Sequence, residues 1–268
     1  SRLKNVVESK GIILFTKDYK EKDKLVKIFT ESSGKLMFFV KGAHRKNNPL
    51  TPAIMPYTKA TYMGRFNEEG LSFLNGVKYV SPYLMIQKDI FIAAYATYLL
   101  NLCDAAIEDR VYDPNLYTFL EQALDHLEDG KDPEIITNIF EIQILQRFGT
   151  AFNWHSCQIC SEMRGKFDFS PKYHGILCER HFSEDRRRYG SDPLAIHLIR
   201  QFSQISYQDI QSIKLKKETK QLIRQIIDQL YEEYVGIHLK SKKFIEQMNE
   251  WGQIMQRDVQ TQEKQEND

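Results

Sequence analysis

The sequence predicts an α+β chain: a small five-stranded β-barrel at the N-terminus, then a mainly α-helical body interrupted by a compact metal-binding insert. Three observations predict it. Apolar residues alternate in short runs up to about residue 80, they recur at helical spacing after Ser81-Pro82, and four metal-type ligands are paired between 157 and 181.

The strands are read at Gly11 to Thr16, Leu25 to Thr30, Lys35 to Val40, Ala60 to Phe66 and Leu71 to Val80. Each is rich in Ile, Val, Phe, Tyr and Thr, which suit a half-buried pleated surface. Ser32-Ser33-Gly34, the stretch from Gly42 to Pro52, and Asn67 to Gly70 supply the breaks. Five strands in so short a segment fit a small closed barrel, for which an OB-type fold is the natural candidate; an SH3-like barrel has the same periodicity.

Beyond residue 81 the period lengthens. Phe91, Tyr95, Tyr98, Leu102 and Ala106 share one helical face, and Leu116, Phe119, Leu120, Ala123, Leu124 and Leu127 another. Asp113-Pro114, Asp132-Pro133 and Asp192-Pro193 each read as a helix start, because Asp accepts from the free amides of the first turn and Pro there forfeits no backbone bond. Gly130 and Gly149 stand where two helices should stop. Later helices are expected around Leu222 to Leu230 and Phe244 to Met255. The division is 1–80 for the barrel, 81–256 for the helical domain and 257–268 for a polar tail expected to be disordered.

Composition narrows the class. With 42% hydrophobic and 27% charged residues and no apolar run near the roughly 20 residues a bilayer requires, the chain reads as soluble and non-membrane. It shows no secretion signal, which predicts a cytoplasmic protein; Ser1 suggests a trimmed start. The net charge of +1 conceals polarity: residues 1–80 carry a surplus of +8 and residues 81–150 a deficit of −8. Such a chain can attract a polyanion at one end and repel it in the middle.

The strongest chemical signal is Cys157-x2-Cys160, 17 intervening residues, then Cys178-x2-His181. Each pair can sit on a knuckle and offer two ligands to one tetrahedral Zn2+, with a hairpin between them at Lys166 to Ser170 and Ile176-Leu177. Four protein ligands leave no open position, so the module, at about 154–182, is expected to be structural. His174 and His155 are alternative fourth ligands. Cys103, beside the stripe of the first long helix, reads as a buried, inert thiol.

In order along the chain stand Asp18-Tyr19-Lys20-Glu21-Lys22-Asp23-Lys24-Leu25-Val26, then Phe29, Gly34-Lys35, Phe39 and Lys41-Gly42-Ala43. Gly130-Lys131-Asp132-Pro133, Phe169-Ser170-Pro171 and Gly175-Ile176-Leu177-Cys178 follow. Along nearly its whole length the sequence resembles the RecO recombination-mediator family. The resemblance implies an N-terminal OB-fold, a helical C-terminal body and a zinc-finger-like insert, although family members with the metal usually carry four cysteines where His181 stands here. It also implies a bacterial, nucleoid-associated protein that binds single- and double-stranded DNA, anneals complementary strands, joins RecR, and helps load RecA onto DNA coated with single-stranded-DNA-binding protein.

That work needs cations for phosphates and flat faces for bases. The DNA-binding candidates are Lys17, Lys20, Lys24, Lys35, Lys41, Arg45 and Lys46, with Lys22 and Lys27 close by. Tyr19, Phe38, Phe39, Tyr57, Tyr62 and Phe66 are the aromatics in reach; alternation assigns about half of them to the barrel core. Arg186-Arg187-Arg188 forms a second basic group, suited to extending the DNA path, receiving an acidic partner tail, or simply forming an exposed turn. No phosphate-binding G-x-x-x-x-G-K-[ST] loop, H-E-x-x-H pair or G-x-S-x-G elbow occurs, so no enzymatic activity is expected. The competing class is a zinc-scaffolded protein-binding adaptor without DNA affinity, which the acidic middle segment favours.

Overall fold

The structure, a computed structural model, describes residues 6–210 and 213–267; residues 1–5 of the expected barrel segment and Asp268 of the expected tail lie outside it. Five strands, β1 (Val7–Tyr19), β2 (Asp23–Thr30), β3 (Gly34–Val40), β4 (Thr58–Arg65) and β5 (Ser72–Pro82), close a barrel in the order β1-β2-β3-β5-β4. The β3–β5 pairing is parallel and all others are antiparallel, which is OB-type connectivity. Strand alternation sorts the side chains: Val26, Ile28, Leu36, Phe38, Val40 and Tyr62 point inward into one core. Gly11 makes room for it, since a Cβ there would stand 2.7 Å from Ile28 and 2.8 Å from the Tyr62 ring.

Part of the opposite face of β1 and β2 is covered by the helical body. Ile12, Leu14 and Phe29 join the core of the helical body, where the Phe29 ring stacks on Tyr117 at 5.7 Å. A register shift between Ile13 and Phe15 marks the strand segment that serves both cores.

The body consists of α1 (Leu84–Lys88), α2 (Ile90–Ala106), α3 (Pro114–Glu128), α4 (Pro133–Ile144), α5 (Pro193–Gln204), α6 (Lys217–Tyr234) and α7 (Lys240–Glu266), with the hairpin β6 (Phe167–Ser170) and β7 (Gly175–Cys178) between α4 and α5. All three Asp-Pro pairs start helices: Asp113 accepts from the Leu116 amide, Asp132 from Glu134, and Asp192 from Leu194 and Ala195. Gly130 and Gly149 take left-handed φ values of 81° and 80° just after α3 and after the turn that follows α4. Inside, the Glu141 carboxylate is 1% exposed; Arg224 approaches it with two bonds of 2.8 Å and Tyr98 donates a third of 2.8 Å, joining α2, α4 and α6. Cys103 is fully buried, and burial pushes its thiol far up, as an inert thiol requires.

The expectation of a disordered tail at 257–268 is corrected. Helix α7 continues through Glu266, fully solvated from Gln256 onward. The segment has no Pro and no Gly beyond Gly252, and its Gln, Glu, Lys and Arg are good helix formers; polarity removes a reason to be buried, not the backbone preference.

Candidate metal centre and cationic barrel rim

The four residues Cys157, Cys160, Cys178 and His181 converge, with all ligand atoms within 4.8 Å of one another. The first knuckle closes through Cys157 N–H to Glu162 O (2.8 Å) and Ser161 N–H to Cys157 O (2.9 Å), with Ser161 at φ 64°. The second follows β7 directly, because Cys178 ends that strand and His181 lies on the next short turn, Glu179–Glu184. The hairpin is sewn to the first knuckle by Gln158 N–H to Ile176 O (2.9 Å).

The spacing of the donor atoms tests whether an ion fits. Two sulfurs about 2.3 Å from a shared tetrahedral ion lie about 3.8 Å apart, and a sulfur and an imidazole nitrogen slightly closer. The Cys160 and Cys178 sulfurs are 3.7 Å apart, and His181 Nδ1 is 3.7 Å from Cys157 Sγ and 3.3 Å from Cys178 Sγ. The residues therefore fit one tetrahedral, thiophilic ion, and His181, not His155 or His174, completes the set. Burial opposes ionisation of Cys157, but backbone hydrogen bonds at Cys178, Cys160 and Ile159 outweigh it and bring the thiol down to about 6. The Arg180 guanidinium, 3.5 Å from Cys160 Sγ, adds positive charge beside the thiolates.

The module is anchored by groups that the sequence pattern did not single out. Arg200 of α5 donates to Trp154 O (2.9 Å), His155 O (3.0 Å) and Met163 O (3.0 Å), and its guanidinium lies over the Phe167 ring. Asp168, buried, accepts from Arg188 (2.9 Å) and from the amides of Gly190 (2.7 Å) and Ser191 (3.1 Å). Arg188 is thus a bracket within the module, and the basic group shrinks to Arg186 and Arg187, both exposed.

At the barrel, the β1–β2 turn and the loop after β3 meet at one rim. Gly42 N–H donates to Asp23 (2.8 Å), His44 N–H to Lys22 O (3.2 Å), and the His44 ring contacts Asp18 at 2.9 Å. Lys17, Lys20, Lys24, Lys41, Arg45 and Lys46 surround this junction, and among the described residues none of them forms an ion pair.

Lys35 must be removed from that group. It is 4% exposed, donates to both the carbonyl (2.6 Å) and the carboxylate (2.9 Å) of Asp104, and faces the helical body. Lys27 is buried likewise, 2.6 Å from Asp109. The cause is strand parity: Lys27 and Lys35 share the outward face with Phe29, and α2 and the loop after it cover that half of the barrel. Lys10 and Lys59 reach Glu121 and Asp125 of α3 in the same manner. The acidic middle of the chain therefore neutralises barrel lysines across an internal interface.

The aromatics also separate. Phe38 and Tyr62 are core residues, Phe66 packs on Phe38, and Tyr57 bonds Thr97 of α2. Tyr19 and Phe39 face outward and meet at 6.0 Å; Phe73, missed in the sequence, continues the contact at 6.0 Å from Phe39. Its place as an aromatic within the strand expected from Leu71 to Val80 was the available signal.

A closed OB-type barrel with a solvent-facing cationic rim, fused to a helical body braced by a Cys3His knuckle, defines the class of this molecule. Comparison with known proteins specifies it further. The family model described as Recombination protein O N terminal matches residues 4–83, and that described as Recombination protein O C terminal matches residues 87–243. A protein named DNA repair protein RecO from Enterococcus faecalis is 67% identical over 244 residues, covering 91% of this chain and 93% of its own. Proteins of the same name from Streptococcus suis (49% identity, 93% and 95% covered) and Lactococcus lactis subsp. cremoris (50%, 92% and 98%) are also similar. The chain belongs to the RecO family. Among the described residues no helix is long and apolar enough to cross a membrane.

Proposed function

We propose that this protein is a non-enzymatic DNA-repair mediator that holds single- and double-stranded DNA on the barrel rim, anneals complementary strands, and acts with RecR on DNA coated with single-stranded-DNA-binding protein to help load RecA. The observation that carries the reading is the set Lys17, Lys20, Lys24, Lys41, Arg45 and Lys46 at one end of the barrel, solvent-accessible and forming no ion pair among the described residues. Unpaired cations on a rigid rim bind polyanions through phosphate neutralisation and counterion release. Annealing then needs no catalytic group, because a surface that screens two strands lowers their repulsion and base pairing drives the rest. The adaptor alternative is weakened, since Asp104, Asp109, Glu121 and Asp125 of the acidic segment are engaged by Lys10, Lys27, Lys35 and Lys59.

The ion in the Cys3His set is Zn2+, whose preference for thiolate and imidazole in tetrahedral geometry matches the donors. Four protein ligands make its role structural: it fixes both knuckles and, through Arg200, their attachment to α5.

Binding of a single-stranded oligonucleotide across a salt series tests the proposal. Each lost phosphate contact on a single strand removes about 0.7 from the slope of log affinity against log salt, so Arg45→Ala with Lys46→Ala should flatten it by about 1.4. A wild-type protein that ignores oligonucleotides in dilute buffer would sink the reading.

A further inference from the structure

Helix α7 has two dissimilar sides. Toward the body it buries Ile245 and Ser241, whose hydroxyl donates to Asn101 (2.8 Å). On the outward side Phe244, Met248, Trp251, Met255 and Val259 recur at intervals of three and four and form one stripe, with Ile254 at its edge. Phe244, Trp251, Ile254, Met255 and Val259 are between 44% and 67% exposed. The stripe continues onto α2, whose exposed Ile90 lines one groove with Phe244 and whose exposed Phe91 lines another with Met248. A contiguous apolar surface of this kind marks a contact region, and from Gln256 onward no other part of the chain covers the helix.

The charges of α7 select the occupant. Its first turn holds Lys240, Lys242 and Lys243 and no acid, whereas its last two turns hold Glu263 and Glu266 against Lys264. That order opposes the helix's own macrodipole, whose positive end is N-terminal. It suits a second α7 laid antiparallel, in which each acidic, dipole-negative end lies along the lysines of the other. Lys242 is already engaged by Asp228 and Glu246, but Lys240, Lys243, Glu263 and Glu266 are exposed and form no ion pair among the described residues. A parallel copy would set lysines against lysines. A lipid surface is disfavoured, because α7 carries five cations and five acids and offers no cationic face to anionic headgroups.

We propose that two copies of this chain associate through antiparallel pairing of α7, with Trp251 of one protomer packed on Met255 of its partner near the two-fold axis. Phe244 and Met248 of each copy then receive the projecting half of the other, which gains the packed face that sustains a helix in water. At about 150–200 Å² for a fully open side chain of this size, the exposed fractions of the stripe leave roughly 500 Å² per copy to cover, or roughly 1,000 Å² in the pair. That area corresponds to a reversible dimer that exchanges with monomer at micromolar concentrations. The proposal is independent of the DNA reading and is tested without nucleic acid.

Sedimentation equilibrium of the purified chain from roughly 1 to 100 μM should show a monomer–dimer equilibrium, with a blue shift of Trp251 emission as the dimer forms. Trp154, already buried, contributes a constant background. Trp251→Glu with Met255→Glu should weaken association roughly tenfold or more while the circular dichroism spectrum is retained. Lys240→Glu with Lys243→Glu should weaken it severalfold, and adding Glu263→Lys with Glu266→Lys should restore it, because complementarity returns when both ends change sign. A chain that stays monomeric throughout, a dimer indifferent to the Trp251 and Met255 substitutions, or a charge reversal without rescue would overturn the proposal. A monomer whose Trp251 emission shifts only on phosphatidylglycerol–phosphatidylethanolamine vesicles would overturn it in favour of a lipid surface.

Discussion

Lys35 Nζ lies 2.9 Å from Asp104 Oδ1 and 2.6 Å from the Asp104 carbonyl oxygen, so a lysine of the barrel caps the end of a helix in the body. Together with Lys27 and Asp109 it makes the junction between the two parts an electrostatic contact in which both lysines are buried and both carboxylates remain partly exposed. Lys35→Ala is accordingly expected to destabilise the protein by about 1–3 kcal/mol in urea unfolding, because it leaves a partly buried carbonyl and carboxylate without their donor. The salt slope of DNA binding should not change; a slope reduced by a full phosphate contact would return Lys35 to the rim.

The same junction should weaken in acid. Burial works against ionisation of Asp109, but the hydrogen bond and charge of Lys27, and then Lys35, outweigh it and lower its pKa below the ordinary carboxylate value. A carboxyl with a depressed folded-state pKa stabilises above its unfolded value of about 3.9, and that contribution disappears as pH falls through the lower folded value. The melting temperature of wild type should therefore exceed that of Asp109→Asn at pH 7, and the gap should close on acidification below about pH 4. A gap that is constant from pH 7 to 3 would contradict this origin.

Gly34 holds the other side of the contact. Its φ is 71°, and a Cβ there would stand 2.3 Å from the Val111 carbonyl oxygen, which belongs to the loop that follows α2. Arg110 in that loop donates its amide to Lys35 O (3.0 Å) and its guanidinium to Gly70 O (2.6 Å). Gly34→Ala combines a left-handed conformation with a backbone clash and should cost about 2 kcal/mol or more. Hydrogen exchange should quicken at residues 107–112 and 67–71; protection there equal to wild type would show that the loop does not depend on the close approach.

Metal analysis of the purified protein should give one equivalent of Zn2+. Removal by a strong chelator is expected to raise hydrogen exchange across about 154–182, since the ion contributes folding free energy to a module with only two short strands. Exchange in β1 to β5 should remain as it was, because no ligand comes from the barrel. Loss of barrel protection on chelation would refute the separation.

Local chemistry made much of this protein legible. The Asp-Pro starts, the glycine stops, the strands of the barrel and the Cys157-Cys160-Cys178-His181 set depend on interactions between residues near in sequence or on a ligand spacing that few other structures need. The sequence by itself therefore determined most of the element types, a small five-stranded barrel and the three cysteine ligands, while the strand connectivity and the choice of His181 over His155 and His174 came from the fold. Only the tertiary structure decided which cations are available: Lys24 and Lys35 look alike along the chain, yet parity and the docking of α2 leave one at the rim and bury the other against Asp104. It likewise turned Arg188 inward to Asp168 and brought Phe73 beside Phe39 through a parallel β3–β5 pairing that no local pattern encodes. A side chain's exposure is set by what packs over it from distant parts of the chain, and that information resides in the assembled fold.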